Sequence, residues 1–147
     1  KRPIFAKENS KQVRYCIADN FLTFWFRFIY RYQGYIESGA LKLVENIIRR
    51  DYNTFSGGML ERYFRDKFMQ SGLYTNVGMY WNRKGENEIN LIALNDLDKT
   101  AAIYEIKKDE ARYSSTVLEE KVANLMEAEK ELKKYNCNLG KLSLLDI

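Results

Sequence analysis

The hydrophobic pattern of this chain changes period at Tyr74, and that change restricts the fold more than any other feature. Beyond it, Tyr74 to Asn82, Glu88 to Leu94 and Ala101 to Lys107 are short strand-like runs, separated by Arg83-Lys84-Gly85 and by Asn95-Asp96-Leu97-Asp98-Lys99. Three such runs predict a meander. A helix starting near Thr116, with Glu119 three residues on as a capping box, carries Leu118, Val122, Leu125, Glu129 and Leu132 on one face. Lys141-Leu142-Ser143-Leu144-Leu145 then predicts a closing strand. From residue 56 the expected order is α-β-β-β-α-β, an α/β fold with a small mixed sheet of about four strands flanked by helices.

The preceding residues read as a hairpin and three helices. Residues 1–18 predict a short extended hairpin: Pro3-Ile4-Phe5-Ala6, a turn around Glu8-Asn9-Ser10, then Gln12 to Ile17. Asp19 or Asn20 can cap a helix from Phe21 to about Tyr35, apolar nearly all round and so in need of burial on several sides. A second helix, Ala40 to Tyr52, aligns Leu41, Val44, Ile47 and Ile48. Ser56 with Gly57-Gly58 opens a third, in which Leu60, Phe64 and Phe68 repeat at four-residue spacing and Gly72 is the stop. The expected division is a hairpin at 1–18, a helical connecting segment at 19–55 and an α/β domain at 56–147.

Composition narrows the chemistry. The 147 residues hold no histidine, which removes Ser-His-Asp and Cys-His triads and every His-based zinc site. Cys16 and Cys137 form no CxxC pair and read as packed, reduced thiols of a cytoplasmic protein. The aromatic run Phe21 to Tyr30 is interrupted by Arg27 and falls well short of the ~20 residues needed to cross a bilayer. A net charge of +4 is compatible with an anionic partner without requiring one. The chain starts at Lys1 with neither methionine nor a signal pattern, so an excerpt of a longer polypeptide is expected.

What remains is carboxylate, lysine or tyrosine chemistry, and the carboxylates and lysines converge on two strands. Alternation puts Glu105 and Lys107 on one face of their strand and Tyr104 and Ile106 on the other. Glu88 and Asn90 share a face of the preceding strand, which a hairpin can bring against Glu105. Phosphodiester hydrolysis needs a hard cation held by oxygen, an activated water and positive charge against the developing phosphorane. Glu105 would be one magnesium or manganese ligand and the Ile106 carbonyl a second, with Lys107 orienting the water. Arg83 and Lys84 would hold the phosphate backbone, and Glu61 would approach from its helix.

The order α-β-β-β-α-β with Glu61, Glu88-Ile89-Asn90 and Glu105-Ile106-Lys107 resembles the PD-(D/E)XK restriction-endonuclease-like superfamily over roughly residues 56–147. Arg14 to Phe28, with its Phe-Trp-Phe-Arg block, together with Trp81, Lys84-Gly85-Glu86-Asn87-Glu88-Ile89 and Glu105-Ile106-Lys107, is similar to the C-terminal region of archaeal-type prokaryotic ATPases of the AAA or STAND-like kind. The resemblance implies an ATPase domain and a winged helix upstream, residues 1–18 being the last wing hairpin, with ATP bound only in that absent part. It implies a nuclease-like domain acting on DNA, in which Glu61 is the helix acid, Glu105 the metal-binding acid and Lys107 the catalytic lysine. Asn90 departs from the pattern, which has an aspartate there. Asn90 would still face the metal beside Glu105, but a neutral amide binds magnesium far less well than a carboxylate, so cleavage is expected to be impaired. Glu88 is a candidate substitute.

Plainer readings stand beside these. Glu61 and Arg65 make an ordinary i,i+4 ion pair, worth about 0.3–0.5 kcal/mol. Glu105 with Lys107 is compatible with a solvated edge pair, and Lys121 with a polar helix face. Trp25, Tyr30, Tyr32 and Tyr35 suit core packing or docking on an absent domain better than base stacking. Gly34 to Gly39 imitates a P-loop, but Ala40-Leu41 replaces its Lys-Ser/Thr pair. The alternative function is a non-catalytic regulatory or interaction module that docks on its own ATPase domain.

Overall fold

A computed structural model describes residues 1–147, which divide into two compact units: residues 1–14 with 60–147, and Tyr15–Met59. In the larger unit the sheet is four-stranded, open and mixed: β1 Asn76–Trp81, β2 Glu88–Asn95, β3 Thr100–Ile106 and β4 Asn136–Leu142, in that spatial order. β1 to β3 form the antiparallel meander expected from the change of period. β4 lies parallel to β3, as a strand returning through a helical crossover must. It starts five residues before the expected Lys141, because Cys137 and Leu139 already face the core, and Leu144–Asp146 is a 3₁₀ turn.

Helices cover both faces of this sheet. The crossover helix Ser115–Ala128 is capped by Ser114, whose hydroxyl accepts from Val117, and not by Thr116 as its capping-box spacing suggested. Its Leu118, Val122 and Leu125, with Leu132 beyond it, close over Ile89, Ile92, Leu94, Ala101 and Ile103. On the opposite face Leu60 and Phe64 pack on Leu91 and Ile106, with Phe68, Tyr104 and Leu142 at the margin. Each fully buried Leu, Ile or Phe contributes about 1.5–3 kcal/mol. Gly140 is needed where it stands: an added Cβ would lie 2.7 Å from the Tyr104 ring.

The alternation along β2 breaks once. Gly78 pairs with Ile92 and Tyr80 with Ile89, so Asn90 and Leu91 together oppose Met79 in a β-bulge. That bulge puts Ile89 and Ile92, three residues apart, in the same core layer. It also means that Glu88 and Asn90 do not share a regular face, contrary to the simple two-residue period.

Residues 1–14 hold no strand, so the expected hairpin does not form. Pro3 has no N–H to offer a ladder, and Lys7 to Ser10 closes as a turn. The segment instead runs beside β1, with the Ile4 N–H donating to the Met79 carbonyl at 2.9 Å, and the ends of the segment joined through Lys1 and Arg14. An otherwise open sheet edge is thereby covered.

The smaller unit holds α1 Asn20–Phe24, a π turn Trp25–Ile29, a 3₁₀ turn Tyr30–Tyr32 and α2 Gln33–Glu37. Asp19 caps α1 as expected, accepting from the Leu22 N–H at 2.7 Å. The single long helix expected here is broken, in a run of bulky aromatics that are mediocre helix formers. Phe28 is buried against Phe24 and Phe55, whereas Phe21, Trp25, Phe26 and Tyr30 are exposed, so the expected burial on several sides is absent. Cys16 is exposed too, correcting the expectation of a packed thiol, because it lies in irregular chain before α1.

The two helices expected at 40–52 and 56–70 are one, α3 Leu41–Gln70. Ser56 does not cap: its hydroxyl donates back to the Tyr52 carbonyl at 2.7 Å. Each glycine at 57 and 58 costs about 1 kcal/mol against alanine, too little to break a helix anchored by packed residues on both sides. Gly72, at φ 69°, ends it as expected. The crossover helix Ser115–Ala128 is α4.

Candidate functional site

The C-terminal end of β3 delivers Glu105 and Lys107 to the α4 side of the sheet, and their side chains meet at 2.9 Å. Glu105 is buried, whereas Lys107 just beyond the strand is more than a third exposed. A second ammonium reaches the same carboxylate: Lys121 Nζ on α4 donates to Glu105 Oε1 at 3.0 Å and to Oε2 at 3.1 Å. Lys121 is placed by the apolar stripe of α4, lying three residues after Leu118 and four before Leu125. Its carbonyl accepts from Asn87 Nδ2 at 3.0 Å, which ties the β1–β2 turn to α4. The other half of that amide, Asn87 Oδ1, is buried without a hydrogen-bond partner.

Asn90 meets β3 in an unexpected way. The β2–β3 ladder ends at Leu91 and Tyr104, and there the Asn90 side chain takes over, its Oδ1 accepting from the Ile106 N–H at 3.0 Å. Ile106 therefore enters the site through its N–H. The Asn90 carbonyl accepts from Arg65 at 3.2 Å, and Arg65 lies 3.7 Å from Glu61. Glu61 thus joins the group through Arg65, in the i,i+4 arrangement that its spacing allowed. Burial raises the Glu61 carboxyl above the usual carboxylate range, with Arg65 opposing and Glu88 adding to the shift. Burial likewise lowers the Arg65 guanidinium, with Glu61 opposing.

Glu88 is engaged elsewhere. It pairs with Arg14, whose guanidinium also lies 4.4 Å over the Trp81 ring. Arg83 and Lys84 sit exposed in the β1–β2 turn, whose backbone is held by Asn82 Oδ1 accepting from Glu86 and Asn87. Lys121, which the sequence places on a polar helix face, is instead a partner of Glu105. Its signal was its position at the margin of the Leu118, Val122, Leu125 stripe, three residues after Leu118 and four before Leu125.

A divalent cation fits this donor set poorly. No group of three or more His, Cys, Asp or Glu side chains comes together. Magnesium wants carboxylate oxygens at about 2.0–2.1 Å and keeps its waters. The one carboxylate here already carries two ammonium groups, and the neighbouring acceptor, Asn90 Oδ1, is neutral and engaged by Ile106. The side chains as they stand do not make a magnesium or manganese site. Charge at this point favours an anion: one carboxylate lies between two lysines.

Residues 25–124 match the model of a family, DUF234, described as archaeal and bacterial proteins of unknown function. This chain belongs to that family. The DUF234 match runs from the π turn through β3 to the middle of α4, and so includes Glu61, Asn90, Glu105, Lys107 and Lys121. An uncharacterised protein of Methanocaldococcus jannaschii is 38% identical over 112 residues, covering 71% of this chain. The chain spans about a quarter of the length of that relative. No solved structure matches it. No helix is long and apolar enough to cross a membrane.

Proposed function

We propose that this DUF234 chain is the restriction-endonuclease-like module of a modular prokaryotic ATPase, that it binds the DNA backbone, and that its hydrolytic centre is impaired. One observation carries the reading: Glu105 and Lys107, paired at 2.9 Å at the end of β3, lie beside the β2 bulge that presents Asn90, within a core of order α-β-β-β-α-β. The lysines at Glu105 and the exposed Arg83 and Lys84 supply positive charge for phosphate, while the neutral Asn90 withholds the second acid that a hydrolytic metal site needs. The longer relative agrees with a module attached to further domains.

A second reading, a docking module without DNA, draws on the exposed Phe21, Trp25, Phe26 and Tyr30 of the Tyr15–Met59 unit. Supercoiled plasmid incubated with the protein in magnesium or manganese and run on a native gel separates the readings. Retarded, intact plasmid is expected. Relaxation that disappears in Glu105→Gln would make the chain a working nuclease, and unretarded plasmid at low salt would favour docking.

A further inference from the structure

We infer that the Lys121 ammonium takes the place of a divalent metal at Glu105, so that the site receives a phosphodiester oxygen directly on Lys107 and Lys121 without magnesium. The inference rests on the restriction-endonuclease-like reading above and names how its site would work. Three features of the structure support it together.

The contact is built by the fold. Lys121 and Glu105 come from different elements, the ammonium spans both carboxylate oxygens at 3.0 and 3.1 Å, and the carboxylate is 9% exposed. An exposed pair of neighbours on one helix would carry no such weight. Lys121 is also held at both ends, by its side chain on Glu105 and by its carbonyl on Asn87.

The carboxylate then carries three contacts from two ammonium groups. Lys107 approaches it at 2.9 Å from the other side, leaving a net positive group that repels a dication and attracts an anion. A magnesium ion entering here would meet two ammonium groups already on a buried carboxylate, and Asn90 offers no charge in compensation. Asn90 and Lys121 therefore act together: the strand carries a neutral amide, and the helix supplies a fixed cation to the acid beside it.

Donor capacity remains for a ligand. An ammonium has three N–H groups. Lys121 directs two contacts at Glu105 and Lys107 one, so each retains a donor for a phosphate oxygen, as a charge-assisted bond.

Manganese is the probe, read by loss of the electron paramagnetic resonance signal of the free ion. The wild-type protein should leave that signal unchanged. The protein carrying Asn90→Asp with Lys121→Met should bind manganese roughly ten-fold or more tightly than wild type, and adding Glu105→Gln should abolish the gain. Circular dichroism and urea melts establish that each variant is folded, and Asn90→Asp with Lys121→Arg, which keeps the cation, should stay metal-free. Manganese bound by wild type through Glu105 would overturn the inference. So would a folded Asn90→Asp, Lys121→Met protein that binds none. Labelled duplex titrated in EDTA is read separately: failure of wild type to bind it sinks the DNA-binding reading, whatever the manganese result.

Discussion

Lys121 Nζ contacts both oxygens of the Glu105 carboxylate, at 3.0 and 3.1 Å, across the gap between α4 and β3. Lys121→Met leaves a buried carboxylate with Lys107 as its remaining cation, so unfolding in urea should show a loss of about 1–3 kcal/mol. Glu105→Gln in the same background should restore part of that loss, giving a coupling energy in a double-mutant cycle. Independent effects of the two substitutions would contradict a built pair.

Asn90 Oδ1 finishes the β2–β3 ladder by accepting from the Ile106 N–H. Asn90→Asp keeps an oxygen in place and should change stability little. Asn90→Ala orphans a buried donor and should cost about 1–3 kcal/mol by urea denaturation.

Two kinds of glycine should separate cleanly in a thermal melt. A Cβ at Gly57 or Gly58 meets nothing within 4 Å inside α3, so each Gly→Ala change should stabilise by about 0.5–1 kcal/mol. Gly140→Ala drives a methyl against the Tyr104 ring and should destabilise by about 1–3 kcal/mol.

Burial raises the Glu61 carboxyl above its ordinary value, so the native state holds its proton at a pH where the unfolded chain has already released it. Stability from this residue is therefore greatest below the ordinary carboxylate range and declines as pH rises through the raised value. Glu61→Gln should flatten that decline in melting temperature measured across the acidic range. An unchanged pH profile would show that Arg65 fully compensates the buried charge.

Much of the sheet was legible because its strands alternate between turn formers that leave no other reading: Glu88 to Leu94 and Ala101 to Lys107 are each within a residue of the structural bounds. Local signals failed where tertiary packing decided. Ser56-Gly57-Gly58 looks like a helix start, but Phe55 and Leu60 are both held by their neighbours and the helix runs through. The pairing of Glu105 with Lys107 followed from strand period alone. The β2 bulge left no mark in the sequence, and with it went the true partners of Glu88 and Asn90. Lys121 was readable from its place at the margin of an apolar stripe, yet its partner lies on β3 and no helical spacing names it.

Fluorescence anisotropy of a labelled duplex across salt concentrations, in EDTA and in magnesium, decides whether this chain holds the DNA backbone through its own lysines and arginines. Binding should weaken steeply with salt, occur in EDTA without any need for magnesium, and lose about 1–2 units of slope in log K against log salt when Arg83→Ala and Lys84→Ala are combined. No binding at low salt, or binding that requires magnesium, would contradict that role.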